Sequence, residues 1–317
     1  MDNITLGNDP WSKRLFNKME LLPSLTKAVG GDFAEYDSFV DASPFWIGEK
    51  ERRKELTRKL IDSMKDYKGN IEEVWIRKNK EINYVGGPIC VHIGEDGNFF
   101  IVDGNHRICI LKAMGLSIEA RVLVRADRWI KLKEDAFKIY DRKHTYQPFT
   151  HPDFADWDSA RKDTRIEKIK PFISGDIVNL GCAEGYMDLI LSEYADKWTA
   201  YENHNVRGKM AEYQLQGSKV KLIREDFYSN HIPKCNTLLL LSVFHHQWRV
   251  DKEKAVKLLN KIDNVADKFI LEVAMPREDL WGEDVPDIQK LIVEKTSYKK
   301  AVKISDEEPR EIYLFEK

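Results

Sequence analysis

The sequence predicts an α/β chain built from two units. The C-terminal unit should hold a mainly parallel sheet with helices on both faces and a closing antiparallel hairpin. A smaller α+β unit should precede it. Three observations carry this expectation. From Asp176 onward, short apolar runs alternate with helical patterns, the signature of βαβ units. The first of those runs, Asp176–Leu180, opens into the small-residue turn Gly181-Cys182-Ala183-Glu184-Gly185 and then a helix. The 317 residues suffice for two domains, at about 100–200 residues each.

Taken in order, residues 1–45 read as an N-terminal arm with one helix around Trp11–Met19. Residues 46–126 form the α+β unit. Within it, Glu49–Tyr67 carries Leu56, Leu60, Ile61 and Met64 near helical spacing, which predicts an amphipathic helix. Strand-like runs follow at Val74–Arg77, Ile89–Ile93 and Phe99–Val102, with Asp96-Gly97 turning the second into the third. A helix over His106–Met114 stops at Gly115, and a strand spans Ala120–Val124. Residues 127–157 are aromatic and basic, broken by Pro148 and Pro152, and read as a linker and lid segment. The C-terminal domain covers residues 158–317. It starts with a helix over Asp158–Lys170. Strands are expected at Asp176–Leu180, Trp198–Glu202, Val220–Arg224, Thr237–Val243 and Lys268–Ala274, with helices from Gly185, from Val206 and over Lys252–Ile262. Tyr298–Ile304 and Glu311–Phe315, separated by a polar loop containing Pro309, make the hairpin.

Composition narrows the function. With 51 basic and 53 acidic residues, the net charge is −2, which disfavours a nucleic-acid partner. The longest apolar run, Leu238–Leu241, is far short of the about 20 residues a membrane span needs. The opening Met1-Asp2-Asn3 lacks the pattern of a signal peptide. Cys90, Cys109, Cys182 and Cys235 are scattered and form no CxxC pair, so they read as reduced thiols of a cytoplasmic protein, with no metal site. The sequence leaves the oligomeric state open.

The strongest chemical signal is the turn after Leu180. Gly181 and Gly185 let backbone approach a ligand where a Cβ would clash, and the helix beyond offers free N–H groups. Glu202 ends the second strand, where an acid accepts from ribose hydroxyls. The third strand ends at Glu225-Asp226-Phe227, an acid for an adenine amino group beside an aromatic ring to cover it. These features resemble the class I S-adenosylmethionine-dependent methyltransferases over residues 158–317. The resemblance implies a Rossmann-like seven-stranded sheet, S-adenosyl-L-methionine as cofactor, and a cofactor site lined by Gly181, Cys182, Ala183, Gly185, Glu202, Asp226 and Phe227. That family normally carries an acid where this chain has Asn179.

A closer resemblance lies outside the cofactor motif. Tyr146-Gln147-Pro148, His151-Pro152-Asp153, Arg161, Arg165, Ser242-Val243-Phe244-His245-His246 and Trp281-Gly282 together look like the methyltransferase part of kinase-methyltransferases that cap O-antigen chains. The acceptor implied is a sugar or sugar phosphate on a small molecule or glycan. His245 or His246 is then the candidate general base on a hydroxyl, since imidazole titrates near neutrality. A phosphate oxygen needs no base; Arg161, Arg165 or Arg277 is the candidate clamp for it. Tyr146 and His151 are candidate lid residues over the substrate. Each of these side chains also has a structural reading: a histidine bonding a loop carbonyl, an arginine in a salt bridge, an aromatic packed in a loop.

In the N-terminal unit, Ile101-Val102-Asp103-Gly104-Asn105-His106-Arg107 and the flanking Pro88-Ile89 and Gly115 resemble the ParB/sulfiredoxin-like family over residues 70–125. Gly104 frees the backbone, and the helix start with Arg107 makes an anion site to which His106 adds a donor. The resemblance implies phosphate or nucleotide binding at Asp103, Gly104, Asn105, His106 and Arg107. Sulfiredoxin chemistry is disfavoured because Asn105 stands where that family has its reactive cysteine. Two readings stay open. One is a kinase or nucleotidase using ATP or another nucleotide with Mg2+, for which Asp103 and Glu49 are weak carboxylate candidates. The other is a binding or scaffold unit. For the whole chain, the rivals to methyl transfer onto a sugar are a non-catalytic nucleotide-sensing module and a methyltransferase acting on RNA or another small molecule.

Overall fold

The computed structural model describes residues 3–6, 15–16, 22–44, 48–65, 89–161, 164–275, 280–281, 285–305 and 310–317. By contacts the chain divides into two units, Met1–Lys133 with Thr150–Asp156, and Glu134–Phe149 with Trp157–Lys317.

The N-terminal unit is a sheet with helices. Strands β1 (Asn3–Leu6) and β2 (Leu15–Phe16) are followed by helices α1 (Leu22–Val29), α2 (Ala34–Ala42) and α3 (Lys50–Lys65). Then come β3 (Cys90–Ile93), β4 (Phe99–Asp103), α4 (Asn105–Ala113), β5 (Ile118–Arg125) and α5 (Asp127–Tyr140), the last of which continues past Lys133 into the residues of the C-terminal unit. Among the described residues the sheet order is β1-β5-β3-β4-β2. The β3–β4 hairpin forms as its Asp96-Gly97 turn predicts, with Gly97 at φ 75° beneath the Trp129 ring. Three expectations change here. The helix around Trp11–Met19 is contradicted at Leu15–Phe16, which pair with Phe99 and Phe100; the rest of it lies outside the described residues, as does Val74–Arg77. Among the described residues the arm holds two helices, since Leu25, Ala28, Tyr36 and Val40 bury fully. The linker of residues 127–157 contains α5, whose Trp129, Leu132 and Ala136 fall on one buried stripe.

In the C-terminal unit, β6 (His144–Thr145) pairs with β7 (Asp158–Ser159), and α6 spans only Arg165–Ile169. The longer helix expected from Asp158 fails because Ala160 and Arg161 donate to Thr145 O and Tyr146 O, an extended ladder that consumes those N–H groups. Beyond lie β8 (Asp176–Leu180), α7 (Tyr186–Leu191), β9 (Lys197–Tyr201), α8 (Asn205–Leu215), β10 (Val220–Ile223), β11 (Cys235–Leu241), α9 (Phe244–Val250), α10 (Lys252–Asp263), β12 (Ala266–Ala274), α11 (Ile288–Lys295), β13 (Lys300–Ser305) and β14 (Arg310–Glu316). Among the described residues they build a seven-stranded sheet of order β10-β9-β8-β11-β12-β14-β13. The first five strands in that order run parallel, and β14 is antiparallel to β12 and β13. This is the expected doubly wound sheet with its closing hairpin.

Strand residues alternate between two cores. Leu238, Leu240, Phe269 and Leu271 pack with Trp248, Leu258, Leu259 and Ile292 on one face. Leu239, Leu241, Ile270 and Leu314 pack with Ile169, Met187, Leu191 and Leu215 on the other. The order reverses between β8 and β11, so their carboxyl ends diverge and open a crevice where ligands settle in such sheets. Among the described residues no helix is long and apolar enough to cross a membrane.

Candidate functional site

A cavity of about 520 Å³ lies at that crevice, walled by residues that follow β8, β9, β10 and β11. Its first wall is the glycine turn. Gly181 N and Cys182 N both donate to Tyr201 O, at 2.8 and 2.9 Å, hooking the turn onto β9. Gly181 sits at φ 86°, and a Cβ there would come within 2.7 Å of Val243. Ala183, at φ 52°, takes the same left-handed region without glycine's freedom.

Glu202 forms the second wall. Its Oε2 accepts from Ala183 N at 2.9 Å and its Oε1 from His204 N at 2.8 Å. Burial pushes its carboxyl above the ordinary range, and those two N–H groups pull the other way. Asp226 and Phe227 follow β10 at the third wall, and Asp226 Oδ1 accepts from Tyr228 N at 3.0 Å. So Gly181, Ala183, Glu202, Asp226 and Phe227 converge as the sequence suggested. Cys182 and Gly185 do not line the cavity. Cys182 is fully buried in the core, where burial pushes its thiol up. Gly185 caps α7 at φ 78° and lies so close to Leu215 that a Cβ would meet it at 3.0 Å.

The lining also carries cations. Arg207 and Arg310 are part of it, with His246, Tyr146, Gln247, Ser242 and the apolar Val243, Val250 and Leu280, and Arg207 is close enough to Glu202 for their charges to interact. The guanidinium groups of Arg207 and Arg161 stand 5.5 and 5.7 Å from the centre of the Tyr146 ring. Its segment is clamped from below by Glu184, a fully buried carboxylate that accepts from Tyr146 N at 3.0 Å and Gln147 N at 2.9 Å. Gln147 Oε1 in turn accepts from Met187 N, and Gln214 donates to Pro148 O.

Two candidate assignments are corrected. His245 is no general base for a ligand. It is fully buried, its Nδ1 accepts from Ala274 N at 3.3 Å, and its Nε2 faces Arg310 Nη1 at 3.2 Å. Burial, His246 and Arg310 push its pKa down to about 3. His151 is in the other unit, stacked between Phe99 and Trp129; its Nε2 donates to Gly97 O and its Nδ1 accepts from Asp153 N. Asp153 beside it takes Arg125, Lys133 and Trp129.

Arg165 is also structural: it is buried and binds Glu272 at 2.7 Å, while Arg161 stands 3.9 Å from the same carboxylate. Arg277 lies outside the described residues. His246 remains at the cavity mouth, held below its ordinary pKa by burial and by Arg310, Arg249 and Arg207. Asn179 donates to Asp188, which also takes Trp198 Nε1 at 2.6 Å, so it braces the strand from the core side. Arg207, Arg310, Ser242 and Glu184 were not anticipated.

In the N-terminal unit the Asp103–Arg107 turn opens α4. Gly104 is at φ 91° and contributes no side-chain cap, Arg107 is buried with a contact to Asp103 at 3.3 Å, and Asn105 and His106 are half-buried. His106 packs edge-on to Tyr36, and burial and Arg53 push its pKa down to about 4.

No family model matches the chain, and no curated protein matches it. Solved structures are similar in part. The bifunctional kinase-methyltransferase WbdD is 19% identical in one crystal structure, with TM-score 0.48 over 56% of this chain and 46% of that one, so the chain spans less than half of that protein. The N-methyltransferase NodS from Bradyrhizobium japonicum WM9 is 11% identical, with TM-score 0.40 over 49% of this chain and 98% of that one. An S-adenosylmethionine-dependent methyltransferase from Clostridium acetobutylicum ATCC 824 is 15% identical, with TM-score 0.40 over 49% and 92%.

Proposed function

We propose that the C-terminal unit binds S-adenosylmethionine and transfers its methyl group to an anionic oxygen of a sugar phosphate, on a small molecule or at a glycan end. The observation that carries this is the polarity of the cavity. Glu202, Asp226 and the Phe227 ring, suited to a nucleoside, share its lining with Arg207, Arg310 and His246. The residues present fit the cofactor: Glu202 spends two of its roughly four lone-pair sites on backbone N–H groups and keeps the others for a ribose diol. Bound there, S-adenosylmethionine supplies an already activated methyl. The protein therefore has to orient the acceptor, exclude water and neutralise its charge.

The acceptor end favours an oxygen that is ionised before it arrives. His245 is fully buried, its one acceptor nitrogen is taken by Ala274 N, and Arg310 stands against the other ring nitrogen, so it is not placed to take a proton from a ligand. Burial, and after it the guanidinium groups of Arg310, Arg249 and Arg207, lower the affinity of His246 for a proton, and those guanidinium groups attract a phosphate. A neutral sugar hydroxyl would need the base that this arrangement weakens.

The test is incubation with labelled S-adenosylmethionine and matched pairs of phosphorylated and unphosphorylated sugars, followed by mass spectrometry for a gain of one methyl group. Methylation of the phosphorylated member supports the reading. Transfer only to protein or RNA sinks it. For the N-terminal unit we propose phosphate binding at the Asp103–Arg107 turn, supported by the helix start that Gly104 leaves without a side-chain cap. A thermal shift with ATP or inorganic phosphate, lost on replacing Asn105 and Gly104 together, tests it.

A further inference from the structure

Ser242, the residue just after β11, adopts φ 60°, a conformation that disfavours any side chain. Glycine would occupy it without strain, so the hydroxyl has a use that outweighs the cost. Its Oγ donates to Glu272 Oε2 at 2.6 Å, and the same oxygen takes Arg165 Nη1 at 2.7 Å. Glu272 is fully buried, with Arg165 and Arg161 supplying the opposing charge. An ionised carboxylate only accepts. The single hydroxyl hydrogen of Ser242 is thereby committed to the core, and what Ser242 offers the cavity it lines is its lone pairs.

The sheet order says which part of a ligand meets them. Asp226 and Phe227 follow β10, Glu202 follows β9, Gly181 follows β8 and Ser242 follows β11, and the strands neighbour one another in that sequence. A nucleoside with adenine at the first pair and ribose at Glu202 continues, in the same direction, over Gly181 toward Ser242. The amino-acid tail of the donor carries one cationic donor group and one carboxylate. An obligate acceptor selects the former.

We propose that Arg165 and Glu272 are positioning residues that lock Ser242 Oγ as the acceptor for the α-ammonium of the methyl donor's amino-acid tail. The assignment rests on reading the cavity as an S-adenosylmethionine site. It leaves Arg207 and Arg310 for anionic groups.

Titration calorimetry with two nucleosides tests it. S-adenosylhomocysteine carries the tail, and methylthioadenosine lacks it. Ser242→Gly removes the hydroxyl and its bond to Glu272 but relieves the left-handed backbone, two opposed effects of similar size, so the variant should melt close to the parent. It should weaken S-adenosylhomocysteine by roughly 10- to 100-fold, the range for a hydrogen bond to a charged group, and leave methylthioadenosine unchanged. Glu272→Gln, whose amide can donate to Ser242 and turn its hydrogen outward, should weaken the first ligand and spare the second. If Glu272→Gln does not fold, Ser242→Gly alone decides. Equal binding of S-adenosylhomocysteine by parent and Ser242→Gly overturns the proposal, as does an equal loss of both nucleosides. If the parent binds neither, the proposed function itself fails, a separate and visible outcome.

Discussion

Replacing Glu202 with Gln isolates the interaction on which nucleoside binding depends. In the parent the carboxylate accepts from Ala183 N and His204 N at 2.9 and 2.8 Å while still lining the cavity. A glutamine carbonyl can keep one of those partners, and its amide nitrogen then faces the other N–H as donor against donor. One backbone bond is lost and the ribose loses its charged acceptor. A hydrogen bond to a charged group is worth about 1.5–3 kcal/mol, so the loss at the ribose should weaken binding by roughly 10- to 100-fold in Kd, while the lost backbone bond, made with or without ligand, counts toward folding. The fold should suffer less, because burial already disfavours the charged form of Glu202. Stability should fall by about 1–2 kcal/mol, the usual cost of one unmade bond. Titration calorimetry with S-adenosylhomocysteine, paired with urea unfolding, reads both numbers. A variant that binds within about twofold of the parent would show that Glu202 serves only the backbone turn, and the reasoning would be wrong.

Gly181→Ala should lower stability by about 2–3 kcal/mol in denaturant unfolding, since it adds a left-handed side chain at φ 86° and a contact of 2.7 Å with Val243. Asp153→Asn should cost about 2–3 kcal/mol, less than a fully dry ion pair because Arg125 and Lys133 reach solvent. Its parent carboxyl is held low by Arg125, Lys133 and Trp129 against burial, so that stabilisation is present above the ordinary carboxylate pKa and fades as pH falls below it. Two histidines act in another window. His106, lowered to about 4, and His245, lowered to about 3, take up protons more readily unfolded than folded. Stability should therefore drop as pH falls from 6.5 toward 4, by at most about 1.4 kcal/mol per pH unit for each histidine. Urea midpoints across that range check it, and His245→Asn should flatten the slope.

Much of the C-terminal sheet was legible because its strands are apolar runs bounded by turn residues. Asp176–Leu180 was read at its observed bounds, and the acids at the strand ends could be placed by counting. The basic residues of the cavity were not legible in the same way. Arg310 opens β14 and reaches the site only once that strand has threaded back beside β12. Arg207 and His204 lie in the first turn after Glu202, where charge reads as solvated surface. Glu184 sits inside the motif itself, but its partners Tyr146 and Gln147 are far upstream. The strand expected over Thr237–Val243, followed by His245 or His246 as the candidate base, ends at Leu241. Beyond it come a strained residue and then the start of α9, and Phe244 and His245 turn inward. Helix α5 did announce itself through Trp129, Leu132 and Ala136, but prolines downstream and a basic surface made it look like linker.

Glu184 makes the glycine turn inseparable from a stretch of chain that precedes the sheet. A fragment cut at Asp158 would strip the carboxylate of Tyr140, Tyr146 and Gln147 together and strand a bare negative charge in a dry interior. The turn is therefore no cassette to be grafted by its motif alone. Among descendants of this sequence, the acid and the stretch from Tyr140 to Pro148 should be inherited, or discarded, as one heirloom.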